Sequence, residues 1–112
     1  MNVAEYIAQF LISKNVKHVF GFQGGAILKL IDAFSETNKI SYVQNYHEQA
    51  SSFSADAYSK ITGNIGVAIA TSGPGAINLI GGIVNSFLDS TPCLFFTGQD
   101  YTYNIKKPED VR

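Results

Sequence analysis

Residues 40–50 read as a strand that stops, turns and becomes a helix. Ser41, Tyr42 and Val43 suit a pleated, mostly buried strand, and Asn45 is a turn residue. From Ala50 the small and apolar residues Ala50, Phe53, Ser54, Ala57 and Ile61 recur at helical spacing, and Gly63 ends the pattern. The same unit appears on both sides of this stretch. Residues 16–22 form a strand centred on Val19 and Phe20; Gly24 and Gly25 turn it into a helix with Ile27, Leu30, Ile31 and Phe34 on one face. Residues 65–70 are apolar on both faces except for Gly66, and Pro74 fits the first turn of the helix that follows. That helix is predicted to run over residues 76–88, with Gly81 and Gly82 in its middle. A fourth strand is expected at 91–96, followed by Thr97, Gly98 and Gln99. Such alternation predicts an α/β protein: a parallel β-sheet with helices on both faces.

Composition narrows the function. A chain of 112 residues fits one domain, so residues 1–112 are read as a single domain. The net charge of −1 offers no basis for nucleic acid or a charged membrane surface. Charged residues make up only 15%, which suggests that a partner chain or further sequence covers part of the surface. Cys93 is the one cysteine; it excludes an internal disulfide and is expected in the core of its strand, in a cytoplasmic protein. The apolar stretch 77–88 is interrupted by Asn78, Gly81, Gly82 and Asn85, too short and polar to span a bilayer. At the N-terminus, residues 2–15 are predicted to be an amphipathic helix. Asn2 and Glu5 would form its capping box, and Val3, Tyr6, Ile7, Phe10 and Leu11 its apolar stripe. The polar tail from Asp100 to Arg112 has no clear period and reads as the start of further structure.

In a parallel sheet the loops after the strands lie along one edge, where ligands bind in folds of this kind. Glu48 falls there, in the first turn of its helix. Its position alone also fits a plain acid favoured by the helix dipole. Gly24 and Gly25 are no dinucleotide fingerprint and fit either a tight turn or close approach to a ligand. The loop Ser72-Gly73-Pro74-Gly75 could bind an anion through free N–H groups or merely cap its helix. His47 and His18 read as packed or surface residues, and no set of side chains has metal-ligand spacing.

Four separated motifs carry a resemblance. They are residues 20–28 (Phe-Gly-Phe-Gln-Gly-Gly-Ala-Ile-Leu), His47-Glu48-Gln49 with Ala55-Asp56-Ala57-Tyr58, residues 71–79 (Thr-Ser-Gly-Pro-Gly-Ala-Ile-Asn-Leu), and Asp89-Ser90-Thr91-Pro92 with Thr97-Gly98-Gln99. In this order and spacing the chain resembles the N-terminal pyrimidine-binding domain of thiamine diphosphate-dependent enzymes, nearest the acetolactate synthase group. The resemblance implies that Glu48 hydrogen-bonds a ring nitrogen of the cofactor's aminopyrimidine and thereby activates it. The activated cofactor then decarboxylates a 2-oxo acid and transfers or releases the resulting carbanion equivalent. It also implies that Gly24, Gly25, Ala26, Pro74 and Gln99 line the cofactor site, and that Gly81 and Gly82 let helices pack where two subunits meet. Mg²⁺ and the diphosphate would be held by a domain with a G-D-G motif, which this chain lacks. The expected partner is therefore the diphosphate-binding domain of a second subunit in a homodimer or homotetramer. Some relatives bind FAD; flavin dependence is not fixed by this sequence.

The chain departs from the family pattern at Gln23, where proline is usual, at Ala50, where glycine is common, at Phe53, and after Gln99. These departures bear on the substrate more than on the cofactor. Two other readings share the fold: a non-catalytic binding or assembly domain, and the small subunit of a two-chain 2-oxo acid decarboxylase.

Overall fold

The computed structural model describes residues 1–105 of the chain. Strands β1 (His18–Gly21), β2 (Ser41–Gln44), β3 (Gly66–Ala70) and β4 (Cys93–Thr97) form one parallel sheet in the order β2-β1-β3-β4. His18 lies opposite Ser41, Phe20 opposite Ala68, and Gly66 opposite Cys93. Helices α1 (Val3–Ser13) and α2 (Leu28–Thr37) pack together on one side. Helix α3 (Glu48–Thr62) covers the other side of β1 and β3 and packs against α5 (Ile80–Leu88).

Alternation along β3 explains the two layers. Val67 and Ile69 join Leu11, Val19, Leu30 and Phe34 in the larger core beneath α1 and α2. Ala68 and Ala70 face the other way, with Ala55 of α3 and Leu79. The second core is made of small side chains, so its helix sits close. A Cβ on Gly66 would overlap the carbonyl oxygen of Ala55. Strand β3 is buried at every residue, as expected for a central parallel strand.

Several expectations shift. The capping box of α1 is present, with Asn2 Oδ1 accepting from Glu5 N–H at 3.0 Å and Glu5 Oε2 accepting from Asn2 N–H at 3.0 Å. Its buried face, however, is Ala8 and Leu11 with Ala4, Ile7 and Ile12 beside them; Val3, Tyr6 and Phe10 are exposed. Of the expected stripe, Ile7 and Leu11 thus face the core and Val3, Tyr6 and Phe10 do not. Strand β2 is an edge strand and only half-buried, not mostly buried. In α3 the order is inverted. Ser51, Ser52, Ala55, Asp56 and Ser59 are buried, whereas Ala50, Phe53, Ala57 and Ile61 face outward. The predicted helix over 76–88 is two helices, α4 (Pro74–Ile77) and α5, broken at Asn78 and Leu79.

Gly82 also departs from expectation. A Cβ there would overlap Ser52 of α3, so its close helix neighbour lies within this chain. Its neighbour Gly81 faces Gln49 and Phe53 of α3 in the same way, with looser spacing of 3.2–3.5 Å. Cys93 is half-buried at the sheet margin rather than deep in the core, and burial pushes its thiol up. The predicted polar tail is described only as far as Ile105; residues 106–112 lie outside the described part. No helix among the described residues is long and apolar enough to cross a membrane.

The Gly66 contact gives a direct test. Gly66→Ala must push α3 off β3, and is expected to cost about 2–3 kcal/mol of stability by urea unfolding. Gly25→Ala, where an added Cβ meets nothing within 4 Å, should change stability by far less.

Candidate functional site

The chain passes from β2 to β3 by crossing over β1, so the strand order reverses between β1 and β3. At such a reversal the loops at the carboxyl ends of neighbouring strands part or fold towards each other, and a ligand crevice can form. Here the loops after β1 and β3 meet. A Cβ on Gly24 would come within 2.5 Å of Thr71 Cβ, and one on Gly75 within 2.8 Å of Thr71 Cγ2. Gly75 in turn sits against Glu48, where an added Cβ would lie 3.1 Å from Oε1. Glycine at positions 24 and 75 is thus what lets both loops close around Thr71.

Local chemistry sets where α3 begins. The Asn45 N–H donates to Gly21 O at 2.8 Å, extending the β1–β2 pairing by one residue. Asn45 Nδ2 then donates to Ser51 Oγ at 3.1 Å, tying the turn to the helix. His47 has extended backbone, and its Nδ1 accepts from the Gln49 N–H at 3.1 Å. The imidazole is therefore the N-cap; as an acceptor its Nδ1 carries no proton. Glu48 is the first helical residue and is buried, with 7% of its surface exposed. A carboxylate this deep needs donors. One comes from Asn78, in the break between α4 and α5, whose Nδ2 donates to Oε2 at 3.0 Å. Oε1 accepts no hydrogen bond from any described residue.

The residues singled out from the sequence fall into two groups. Glu48 and Gly24 share the cluster around Thr71 and Gly75. Pro74 is exposed at the first position of α4, as its fixed φ allows. Ala26 and Gln99 lie instead along a groove of about 680 Å³ between α1, α2 and the end of β4. Gly98 brings them together, since a Cβ on it would stand 2.5 Å from Ala26 Cβ. Gly25 is exposed in the turn that joins the two groups. Asn78 was not singled out as a site residue. Its signal was faint: an amide inside an otherwise apolar stretch, at the point where the helix breaks.

A parallel sheet with a buried carboxylate at the reversal of strand order, flanked by glycine-bearing loops, defines an α/β domain whose ligand edge lies at that point. Residues 1–110 match the family described as thiamine pyrophosphate enzyme, N-terminal TPP binding domain, and the chain belongs to that family. Its curated relatives include large subunits of acetolactate synthase. That of Buchnera aphidicola subsp. Schizaphis graminum is 42% identical over 96 residues, 86% of this chain and 17% of that protein. The Pyropia yezoensis protein is 47% identical over 92 residues, 80% of this chain and 16% of that protein. Acetolactate synthase isozyme 3 large subunit of Escherichia coli strain K12 is 44% identical over 96 residues, 86% and 17%. The chain thus spans about a sixth of the length of these relatives.

Further along α3, a polar network centred on one buried carboxylate, Asp56, with the exposed Lys60, holds α3 to α5. Asp56 is buried, and its Oδ2 accepts from Lys60 Nζ at 2.7 Å and Asn85 Nδ2 at 2.9 Å. Its Oδ1 accepts from Ser86 Oγ at 3.0 Å. Lys60 also reaches Asp89 at 2.6 Å, beyond the end of α5. Burial pushes the Asp56 carboxyl up, but hydrogen bonds from Lys60 and Ser86, with the charge of Lys60, outweigh it and hold the group below its ordinary value of 3.8. A depressed carboxyl contributes stability above its unfolded pKa and loses it as pH falls through the folded value. Asp56→Ala strands the donors of Asn85 and Ser86 and is expected to cost about 2–3 kcal/mol at neutral pH by urea unfolding. The gap between wild type and variant should shrink as the pH is taken below 3.8.

Proposed function

We propose that this chain is the pyrimidine-binding part of an acetolactate synthase-like enzyme that decarboxylates a 2-oxo acid, and that Glu48 is its cofactor-activating acid. The observation that carries the reading is the Glu48 carboxylate: buried at the sheet's ligand edge, with one oxygen held by Asn78 and the other without a partner among the described residues. Those features fit thiamine diphosphate, whose pyrimidine offers a ring nitrogen to such an oxygen. When bound, the cofactor would supply an acidic ring carbon whose carbanion, formed by loss of a proton, is the nucleophile toward the 2-oxo group, and a cationic ring able to accept the electron pair left when carbon dioxide departs. Glu48 would hold the proton shared between Oε1 and the ring nitrogen. Gly24, Gly25 and Pro74 would shape the loop edge without side chains in the way, and Ala26 and Gln99 would border the substrate side.

The same reading extends to what this chain does not carry. The diphosphate and Mg²⁺ would be bound by a second domain, in a cytoplasmic homodimer or homotetramer of longer chains; whether FAD is also held belongs to those other domains. The outer face of α5 supports a covering partner. Ile80, Ile83, Val84 and Phe87 recur at helical spacing and are 37–82% exposed, beside the exposed Ile77 and Leu88. An apolar face of this kind marks an interaction surface rather than an ordinary exterior.

Two outcomes follow. Glu48→Gln in the full-length gene product should lower turnover of a 2-oxo acid, with thiamine diphosphate and Mg²⁺ present, by about a hundredfold or more, with the far-ultraviolet circular dichroism unchanged. Near-normal turnover would remove Glu48 from the chemistry, whereas a wild-type product with no turnover would favour a non-catalytic binding domain. Residues 1–112 alone should sediment as more than a monomer, and Val84→Glu with Phe87→Glu should restore a monomer. A wild-type segment that stays monomeric at high concentration would count against a buried α5 face.

A further inference from the structure

Asn78 donates the one hydrogen bond that the Glu48 carboxylate receives from a described side chain. It reaches Glu48 because the chain breaks between α4 and α5. Its own N–H closes α4 by donating to Pro74 O at 3.0 Å. The next residue, Leu79, is fully buried in the core beneath α3, which anchors the break. Asn78 is thus pinned on both sides, with its amide turned to Oε2, while Gly75, which has no Cβ, leaves the space beside Oε1 free of a side chain. An ionised carboxylate only accepts, so the amide nitrogen, not its oxygen, must face it.

We propose that Asn78 is a positioning residue that ties down Oε2 of Glu48 and so presents Oε1 alone to the cofactor's ring nitrogen. This rests on the role of Glu48 given above. A neutral donor suits the task. It orients the carboxylate without the full charge of a lysine or arginine, which would hold the group ionised and unable to share a proton. The surroundings agree with this. The loops after β1 and β3, α4 and α5 bring no ionisable side chain to Glu48: residues 21–27 and 71–88 contain none. In the turn before α3 the titratable groups are His47, used as the N-cap, and Tyr46, which is exposed; on α3 itself they are Asp56, Tyr58 and Lys60, two or more turns further on.

The test uses the full-length gene product with thiamine diphosphate and Mg²⁺. Cofactor binding is titrated calorimetrically across pH, beside steady-state turnover. Glu48→Gln identifies the part of the pH dependence that belongs to Glu48. Asn78→Ala is expected to lower kcat roughly tenfold with little change in KM. It should also move the midpoint of that pH dependence upward by about one unit, because a donor to the charged form is lost. Asn78→Ser, which keeps a donor, should recover most of both effects. Asn78→Asp, nearly isosteric, should move the midpoint further up by placing a like charge opposite, and it covers the case in which the alanine variant does not fold. An Asn78→Ala enzyme with wild-type kcat and midpoint, beside an impaired Glu48→Gln enzyme, overturns the role of Asn78 and leaves that of Glu48 standing. A lower kcat with an unmoved midpoint and no recovery by serine shows a purely structural residue and overturns it as well. A Glu48→Gln enzyme with full turnover removes the reading of Glu48 itself.

Discussion

Everything at the candidate site depends on how closely α3 lies on β3. The contact is made by atoms that are nearly backbone: Gly66 against the carbonyl of Ala55, Ala68 and Ala70 beneath, and Gly82 of α5 against Ser52. Large side chains between helix and sheet would fill the layer but would lift the helix. Small ones give up buried area and gain a fixed distance. The helix then begins where β2 ends, and its first residue falls beside the loops after β1 and β3. The burial of Glu48 is a consequence of this spacing, and the donor from Asn78 offsets its cost.

The same economy explains the polar face of α3. Ser51, Ser52 and Ser59 are buried because they are small and because each hydroxyl finds a nearby carbonyl: His47, Gln49 and Pro92 respectively. Ser52 also accepts from the Gly82 N–H at 3.2 Å, which satisfies a donor near the start of α5. Asp56 continues the line, with Lys60, Asn85 and Ser86 around it. Together these contacts make the α3–α5 pair a rigid mount, and the two groups that face each other across it near the sheet edge are Glu48 and Asn78.

Most of the architecture was legible from the sequence because strands and turns announce themselves locally. The apolar run of β3, the glycine at 63 in left-handed conformation at φ 71°, the Asn2–Glu5 capping box and Pro74 at a helix start each follow from nearest neighbours. What was not legible was which face of a helix turns inward. Hydrophobic periodicity assumes that the larger apolar side chains are buried, and in α3 that assumption inverts. Phe53 and Ile61 point out, while serines and an aspartate point in. The break at Asn78 was hidden for a related reason. Residues 76–88 are apolar nearly all round, so no periodic signal fell at the junction. The motif spacing did locate Glu48, because the position after a strand, at a helix start, is defined by the chain's path rather than by composition. Of the other site residues named from the sequence, Ala26 and Gln99 lie apart from Glu48 along a second groove, a separation that order along the chain could not show.

The inverted helix and the low charge have one cause. A chain that buries its serines inside and leaves Ile80, Ile83, Val84 and Phe87 outside has an apolar exterior of the kind that marks interaction surfaces. If the outward apolar residues were only tolerated, they would be scattered, as single exposed apolar residues are on most proteins. Here they recur on α5, the helix that starts two residues after Asn78. A partner bound on that face would press against α5, and through Ser86 and Asn85 against Asp56, on the helix that Glu48 begins. Cover for the apolar face and a firmer seat for the helix that begins at Glu48 would then come from the same contact.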